Sequence, residues 1–281
     1  MIVSVEWVAL SLIEHLGSQK LARLTEIFDG DLRAAIAADE GSLRRVPGIG
    51  VKLATAIRAI DLDATRRRID RWQAAGVRII PNTNPAYPQP LLALKDPPPT
   101  LFVLGNLPRG RAAAVVGTRE PSGKAYEAAK RIGFELAQRG WIVVSGLALG
   151  IDTGGHYGAL ASPGGKTLAV LGGGLLDIYP SENRALARAI RERGALVCEV
   201  SPDARPSPPR LVARNRLISA FSEAVIVAET DADGGAMHAA RWAVEQGRRV
   251  YTLDSGASGN RDLISAGARV ISPNLDGFDL E

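Results

Sequence analysis

The stretch from Ala112 to Asp152 constrains the fold more than any other part of the chain. It repeats one pattern twice: a short apolar run, a glycine-bearing loop and a segment compatible with a helix. The apolar runs, Ala112–Val116 and 141–145, are short and continuous, as expected for buried strands of a parallel sheet. Such units predict an α/β fold with both loops at the carboxyl edge of the sheet, where open α/β folds bind ligands.

The two loops predict an anion site at that edge. Backbone N–H groups freed by Gly117 and Gly146, a helix N-terminus, the Arg119 guanidinium and the Ser122 hydroxyl are all groups that bind phosphate. The glycine spacing is neither that of the dinucleotide fingerprint nor that of a P-loop. A glycine-bearing turn after a strand also occurs without any ligand, so the loops alone leave both interpretations open.

The same alternation continues towards the end of the chain. Helical segments separate further apolar runs, and these runs lie at 167–171, 195–200, 224–228, 249–253 and 269–271. Because apolar strands that alternate with helices are covered on both faces, residues 112–281 predict an α/β domain with a mostly parallel sheet. The loops of this domain are rich in Gly, Asp, Ser and Arg.

Residues 1–64 predict a small all-helical domain before the sheet. Two of its helices are joined by a Pro-Gly-Ile-Gly hairpin and resemble a helix–hairpin–helix (SAM-like) module, which holds a nucleic-acid phosphate on its backbone N–H groups. The candidate contacts for a second DNA site are Gly48, Gly50 and Lys52. Such hairpins also serve only as packing modules, and both interpretations stay open. Residues 65–111 form a proline-rich connector with two short candidate strands that extend the sheet.

Composition narrows the class of protein. The chain contains no run of 18 apolar residues and no basic region followed by a long apolar one at its start, which predicts a cytoplasmic protein without a membrane partner. The single cysteine, Cys198, lies in an apolar run and is predicted to be a core residue. His238 has no second ligand at metal spacing, so no metal is predicted. The net charge of +4 is compatible with a polyanionic partner.

Taken in order, the loops resemble the DNA-processing protein A family, also called Smf. The resemblance covers about residues 79 to 271. It rests on Val-Val-Gly-Thr-Arg-Glu-Pro-Ser at 115–122, Ser-Gly-Leu-Ala-Leu-Gly-Ile-Asp at 145–152, Gly-Lys-Thr-Leu-Ala-Val-Leu-Gly-Gly-Gly-Leu at 165–175, Ile-Tyr-Pro at 178–180, Arg-Asn-Arg-Leu-Ile at 214–218 and Gly-Asn-Arg-Asp-Leu-Ile-Ser-Ala-Gly-Ala at 259–268. It implies that residues 112–281 form a Rossmann-like domain. It also implies a homodimer that binds single-stranded DNA, protects it and loads the RecA recombinase in natural transformation, without a cofactor.

The resemblance also implies which residues contact DNA. Carried over position by position, the DNA and phosphate contacts fall on Gly117, Thr118, Arg119, Ser122, Lys124, Ser145, Gly146, Leu147, Gly150, Asp152, Lys166, Gly173, Arg214, Asn215, Arg216 and Gly235. Residues two apart on a helix diverge, so at most one of Arg214 and Arg216 is predicted to reach the ligand. Asp152 is predicted to cap its helix or orient an arginine, and His156 to be structural.

The chain departs from the family at several places, among them Lys124-Ala125, where the family usually has Tyr-Gly, and Ser255-Gly256, where it has Pro-Gly. The family's hydroxyl-rich segment is replaced by Gly-Gly-Ala-Met-His-Ala at 234–239, which contains no hydroxyl. No C-terminal winged helix, which many relatives carry, is predicted within these 281 residues.

The main alternative is a nucleotide-binding protein or a nucleotide phosphoribohydrolase of the lysine-decarboxylase-like type, which has the same kind of fold. The glutamate that such a hydrolase requires falls on Arg241 or Trp242 in this chain. Neither side chain can act as the carboxylate that glycosidic hydrolysis needs, so no enzymatic activity is predicted. Nucleotide binding without DNA stays open.

Overall fold

The computed structural model describes residues 3–280, which divide into two compact units. The first unit comprises the chain up to Phe102 together with Glu199–Ser201, and the second comprises Val103–Cys198 and the chain from Pro202 onward. The finer division of the sequence at residues 64 and 111 stays a prediction. Within residues 3–280, no helix combines the length and the apolar character needed to cross a bilayer.

The first unit is mostly helical, as the sequence predicts. Side-chain caps set where its helices begin: Asp39 Oδ1, for example, accepts the backbone N–H of Ser42 at 2.9 Å. Apolar residues at helical spacing, such as Leu21 and Leu24, fill the core. The elements are α1 (Val5–Ser11), α2 (Ser18–Ile27), α3 (Leu32–Ala37), α4 (Glu40–Arg44), α5 (Val51–Arg58), α6 (Leu62–Ala74), α7 (Gln89–Leu92) and strand β1 (Val77–Pro81).

The second unit contains the α/β pattern. Its central strands are fully buried runs, such as Ala112–Val116, whereas Arg249–Thr252 is partly exposed and Arg269–Val270 is exposed. Its strands are β2 (Thr100–Gly105, which begins in the first unit), β3 (Ala112–Val116), β4 (Ile142–Ser145), β5 (Thr167–Val170), β6 (Ala195–Cys198), β7 (Ala224–Val227), β8 (Arg249–Thr252) and β9 (Arg269–Val270). Its helices are α8 (Gly123–Gln138), α9 (Ile151–Ala161), α10 (Arg184–Arg193), α11 (Pro208–Ala213), α12 (Asn215–Ala220), α13 (Ala236–Glu245) and α14 (Ser258–Ser265).

The nine strands form one mostly parallel sheet, which confirms the predicted Rossmann-like fold class. The strand order is β1-β2-β6-β5-β4-β3-β7-β8-β9, and every pair from β6 to β9 is parallel. From β3 the chain runs through β4, β5 and β6 in one direction and then returns to place β7, β8 and β9 on the other side of β3. In open α/β sheets, such a reversal opens a crevice at the carboxyl ends of the two central strands.

Glycines set the distance between α8 and α9. A Cβ on Gly158 of α9 would overlap the carbonyl oxygen of Lys130 in α8, and a Cβ on Gly133 of α8 would overlap that of Gly155 in α9. A larger residue at any of these contacts would push the two helices apart. The glycines therefore hold α9, and the loop before it, close to α8 and its loop.

Candidate functional site

The two glycine-bearing loops lie side by side at the carboxyl edge of the sheet. The backbone N–H of Ile151, at the start of α9, donates to the carbonyl oxygen of Thr118 at 3.2 Å. Gly150 permits this approach because its φ is 77° and a Cβ there would overlap the same carbonyl oxygen. The N–H of Thr118 in turn donates to the carbonyl oxygen of Glu229 at 2.7 Å. The loop after β7 therefore joins the other two.

The N-terminus of α8, which the sequence predicts to face a phosphate, already holds a carboxylate. The Ser122 backbone N–H donates to Glu229 Oε2 at 2.7 Å, and its hydroxyl donates to Oε1 at 3.0 Å. The same hydroxyl oxygen caps the helix by accepting the N–H of Ala125 at 3.2 Å. Since an anion at a helix N-terminus interacts favourably with the helix dipole, Glu229 takes the place expected for a phosphate. Lys124 lies exposed in the first turn of this helix.

The Asp152 carboxylate holds the second loop through two hydrogen bonds to its backbone. Its Oδ2 accepts the backbone N–H groups of Gly146 at 3.0 Å and Ala148 at 3.3 Å. Leu147 lies between these donors with a φ of 60° and a buried side chain. Asp152 Oδ2 is also 4.0 Å from Arg214 Nη2, and both side chains are buried. Asp152 therefore orients both the loop and the arginine.

Burial acts on both members of this ion pair. Loss of solvent raises the pKa of the Asp152 carboxyl, and it lowers the pKa of the Arg214 guanidinium. The attraction between the two opposite charges opposes both shifts, and the N–H groups of Gly146 and Ala148 further favour the carboxylate.

Arg214 is held in a fixed position at the edge of the sheet. Its Nη1 donates to the carbonyl oxygen of Val170 at 2.6 Å, and its Nε donates to that of Leu211 at 3.2 Å. A guanidinium has five N–H groups, so these bonds leave further donors. Two short helices, α11 and α12, meet at Arg214, and α11 begins at Pro208 because proline is well tolerated in a first turn.

A cavity of about 390 Å³ opens between these loops and α12. Its volume lies in the range typical of small-molecule sites. A smaller pocket of about 40 Å³ shares Arg119 and Arg214 with it and is also lined by Gly146. Asn215 Nδ2 lies 3.4 Å from the Gly235 carbonyl oxygen at one side of the larger cavity. The predicted residues that line the larger cavity are Gly117, Thr118, Arg119, Asp152, Arg214, Asn215 and Gly235.

Other predicted residues lie in the frame around the cavity or away from it. The Ser145 hydroxyl donates to the carbonyl oxygen of Val115 at 2.6 Å inside the sheet, and Gly173 follows β5 in a buried turn. Lys166 is exposed at the amino end of β5, which is the sheet edge opposite the cavity. Arg216 lies on α12, two positions after Arg214, and residues at that spacing do not share a helical face.

Several side chains that were not predicted as contacts also line the cavity. Glu120, Asp231 and Asp233 bring carboxylates to it, and Leu211 and Val212 bring apolar surface. Their position in the sequence could have indicated them, because residues 231–233 lie in the loop that follows β7 at the carboxyl edge of the sheet. Since Asp152 is paired with Arg214, Arg119 supplies the other positive charge of the lining, and Glu120, Asp231 and Asp233 supply its remaining negative charge.

His156 is buried, and its contacts indicate a structural role. The Thr167 hydroxyl donates to the carbonyl oxygen of Val143 at 2.6 Å, so His156 Nδ1, 2.7 Å from the Thr167 oxygen, must carry the proton between them. Burial and the Arg214 charge lower the pKa of His156 to about 3, so the ring is neutral. Within residues 3–280, His, Cys, Asp and Glu side chains form no group of three suited to a metal ion.

The hairpin of the first unit has the predicted local geometry. Gly48 has a φ of 90°, and Gly50 is the N-cap of α5, with Lys52 exposed in its first turn. Gly50 and Lys52 line a groove whose walls include Ile13 and Val51. Contact between this hairpin and DNA stays a prediction.

The fold and the site together define a Rossmann-like protein with an arginine-lined cavity at the switch point of its sheet. The family profile described as DNA recombination-mediator protein A matches residues 78–278. This chain belongs to that family.

Known relatives agree with this assignment. DNA processing protein DprA of Bacillus subtilis is 35% identical over 221 residues, which cover 76% of this chain and 74% of that protein. The X-ray structure of DNA processing protein A from Streptococcus pneumoniae matches 98% of this chain and 96% of its own, with a TM-score of 0.79 at 26% identity. The Helicobacter pylori protein, whose structure is described for a unique single-stranded DNA binding mode, matches 69% of this chain and 90% of its own, with a TM-score of 0.63 at 29% identity.

Proposed function

We propose that this protein binds single-stranded DNA through its phosphates, in the cavity lined by Arg119 and Arg214. The observation that carries the proposal is that an exposed arginine, Arg119, and a fixed, buried one, Arg214, line the same cavity at the switch point of the sheet. One guanidinium group can bind two oxygens of a phosphate at once. The neighbouring glycine loops allow a ligand to approach the backbone. The single-stranded DNA binding of the H. pylori relative supports the proposal.

The charges of the cavity position the strand. Glu120, Asp231 and Asp233 repel phosphates, whereas Arg119 and Arg214 attract them. The backbone of the strand therefore lies on the arginine side, next to Leu211. Phosphate contacts carry no sequence information, so binding is nearly sequence-independent. Single strands are preferred, because a stiff duplex cannot follow a rim of loops.

The cellular role follows from the family and is part of the proposal. The protein protects incoming single-stranded DNA and loads the RecA recombinase onto it during natural transformation in the cytoplasm. It acts as a homodimer without a cofactor or an enzymatic activity, and the dimer contact is formed by residues 236–271. Light scattering at micromolar concentration is expected to give the mass of two chains, and a strict monomer would contradict this part of the proposal.

Free nucleotides are the second candidate ligand, because the cavity volume of about 390 Å³ suits a small molecule. The hydrolase alternative requires a carboxylate in the cavity, and Glu120, Asp231 and Asp233 lie there. The glutamate that such a hydrolase uses is nevertheless replaced, by Arg241 or by Trp242. We expect no free base from nucleoside monophosphates incubated with the protein. Turnover that survives repurification would contradict this expectation.

A competition experiment tests the proposed function directly. A fluorescent mixed-sequence oligonucleotide is bound to the full chain and challenged with unlabelled single strands, duplex of the same length, or nucleoside mono- and triphosphates. Unlabelled single strands should displace the probe at the lowest concentration and free nucleotides only at far higher ones. Displacement by a mononucleotide as effective as by the oligonucleotide would favour the nucleotide-binding alternative.

A further inference from the structure

The first glycine-bearing loop uses its backbone donors within the chain. The N–H of Thr118 donates to the carbonyl oxygen of Glu229 at 2.7 Å, and the N–H of Ser122 donates to Glu229 Oε2, also at 2.7 Å. The N–H of Glu120 donates to the Thr118 hydroxyl oxygen at 3.2 Å. A loop that cradles a phosphate must offer such N–H groups to the ligand. Here a single residue, Glu229, takes two of them.

The sheet fixes Glu229 in this place. β3 and β7 are parallel neighbours, and the hydrogen bond from the Ala228 N–H to the Val116 carbonyl oxygen, at 3.1 Å, continues their ladder up to Glu229. A Cβ on Gly117 would overlap the Glu229 carbonyl oxygen, so glycine allows the two segments to approach. The half-buried Glu229 side chain then reaches both the N–H and the hydroxyl of Ser122. Its carboxylate therefore occupies the N-terminus of α8 as part of the fold.

We propose that Glu229 is a specificity-determining residue that excludes the terminal phosphates of free nucleotides from the N-terminus of α8. In dinucleotide-binding folds, a pyrophosphate binds at the helix N-terminus that follows the first glycine-rich loop. This role rests on the proposed function, because it makes a cavity large enough for a nucleotide favour a DNA strand. A nucleoside triphosphate concentrates its charge in one group, which the Glu229 carboxylate repels. A DNA strand distributes its charge along the backbone and binds at Arg119 and Arg214 instead.

A variant without the carboxylate tests this role. The full chain is titrated with ATP by calorimetry and with a fluorescent mixed-sequence single strand by anisotropy. Glu229→Ala should bind ATP roughly 10-fold more tightly than wild type, because a phosphate oxygen gains the donors of Ser122. Its affinity for the single strand should change by less than about threefold. Glu229→Gln fills the same space without the charge and should show a smaller gain for ATP, which keeps the test decisive if Glu229→Ala does not fold.

Asp233 offers a matched control, since it brings a carboxylate to the cavity from the same loop after β7. Asp233→Ala should strengthen the binding of ATP and of the single strand by a similar factor of about two. No gain for ATP in either Glu229 variant, or an equal gain for both ligands, would overturn the specificity role and leave DNA binding standing. Wild-type protein that fails to bind the single strand would overturn the proposed function, and this role with it.

Discussion

Replacing Gly146 with alanine is expected to dislodge the Arg214 guanidinium. A Cβ at position 146 would overlap three atoms of that group: Nη1, Cζ and Nη2. The guanidinium is the far end of a long side chain, but it is buried, and Nη1 is held by the Val170 carbonyl oxygen at 2.6 Å. It can therefore make room only by leaving that hydrogen bond and moving relative to Asp152.

Two lost interactions determine how much stability Gly146→Ala should lose: the hydrogen bond to Val170 and the ion pair with Asp152. A hydrogen bond from a charged donor contributes about 1.5–3 kcal/mol. Removing one partner of a buried ion pair costs about 3–5 kcal/mol, although Asp152 keeps its two backbone N–H donors and Arg214 is displaced, not deleted. We therefore expect the free energy of unfolding of Gly146→Ala to fall by about 3 kcal/mol, and single-stranded DNA binding to weaken with it.

Urea unfolding of the variant beside a matched glycine checks the prediction. Gly123 begins α8, and a Cβ there would meet open space, so Gly123→Ala should change the stability by less than about 1 kcal/mol. Both variants replace a loop-edge glycine by the same residue. A Gly146→Ala protein as stable as Gly123→Ala would refute the reasoning about Arg214.

Three further predictions concern other residues of the site and its surroundings. The pKa of His156 is lowered to about 3 in the folded chain. The unfolded chain therefore takes up a proton near pH 6.5 that the folded chain does not. The free energy of unfolding is highest above that pH and falls as the pH decreases. In urea titrations, the free energy of unfolding of wild type should fall by about 2 kcal/mol more than that of His156→Asn between pH 7 and pH 5. An equal fall in the two proteins would contradict this prediction. Ser122→Ala should cost about 1 kcal/mol of stability but leave DNA affinity within about twofold, because its hydroxyl is bonded to Glu229; a large loss of affinity at unchanged stability would oppose this view. Asp233→Asn should raise DNA affinity about twofold at low salt, as expected for a like charge ~8 Å away in water, and an unchanged affinity would speak against the proposed path of the strand.

Much of the sheet could be predicted from the sequence, because buried parallel strands leave a simple signal. Ala112–Val116 and Ala224–Val227 are apolar throughout and buried at every position. Polar or glycine-rich residues follow each run. Because the carboxyl ends of parallel strands meet at one edge of the sheet, these loops could be placed there without knowledge of the strand order. The spacing of Arg214 and Arg216 likewise indicated two different directions, and Arg214 lines the cavity.

The partners of the site residues could not be predicted, because they come from distant parts of the chain. Glu229 lies 107 residues from the Ser122 it contacts, and Val170 lies 44 residues from Arg214. No local pattern shows which carboxylate occupies the N-terminus of α8. The need for glycine at position 146 is equally hidden, since a loop glycine also serves ordinary turns and only the folded chain brings a guanidinium against it.

The most direct test of phosphate binding at this cavity is a salt titration of Arg119 variants by fluorescence anisotropy on a mixed-sequence single strand. Arg119→Ala should lower affinity by roughly 10- to 150-fold, the equivalent of about 1.5–3 kcal/mol, and reduce the slope of log K against log salt by about 0.7. Arg119→Lys should restore the slope but not the full affinity, because an ammonium cannot bind two oxygens as a fork. Arg188→Ala, at an exposed position on α10, is the matched control and should match wild type. Wild-type affinity and slope in a folded Arg119→Ala protein would contradict the proposed site.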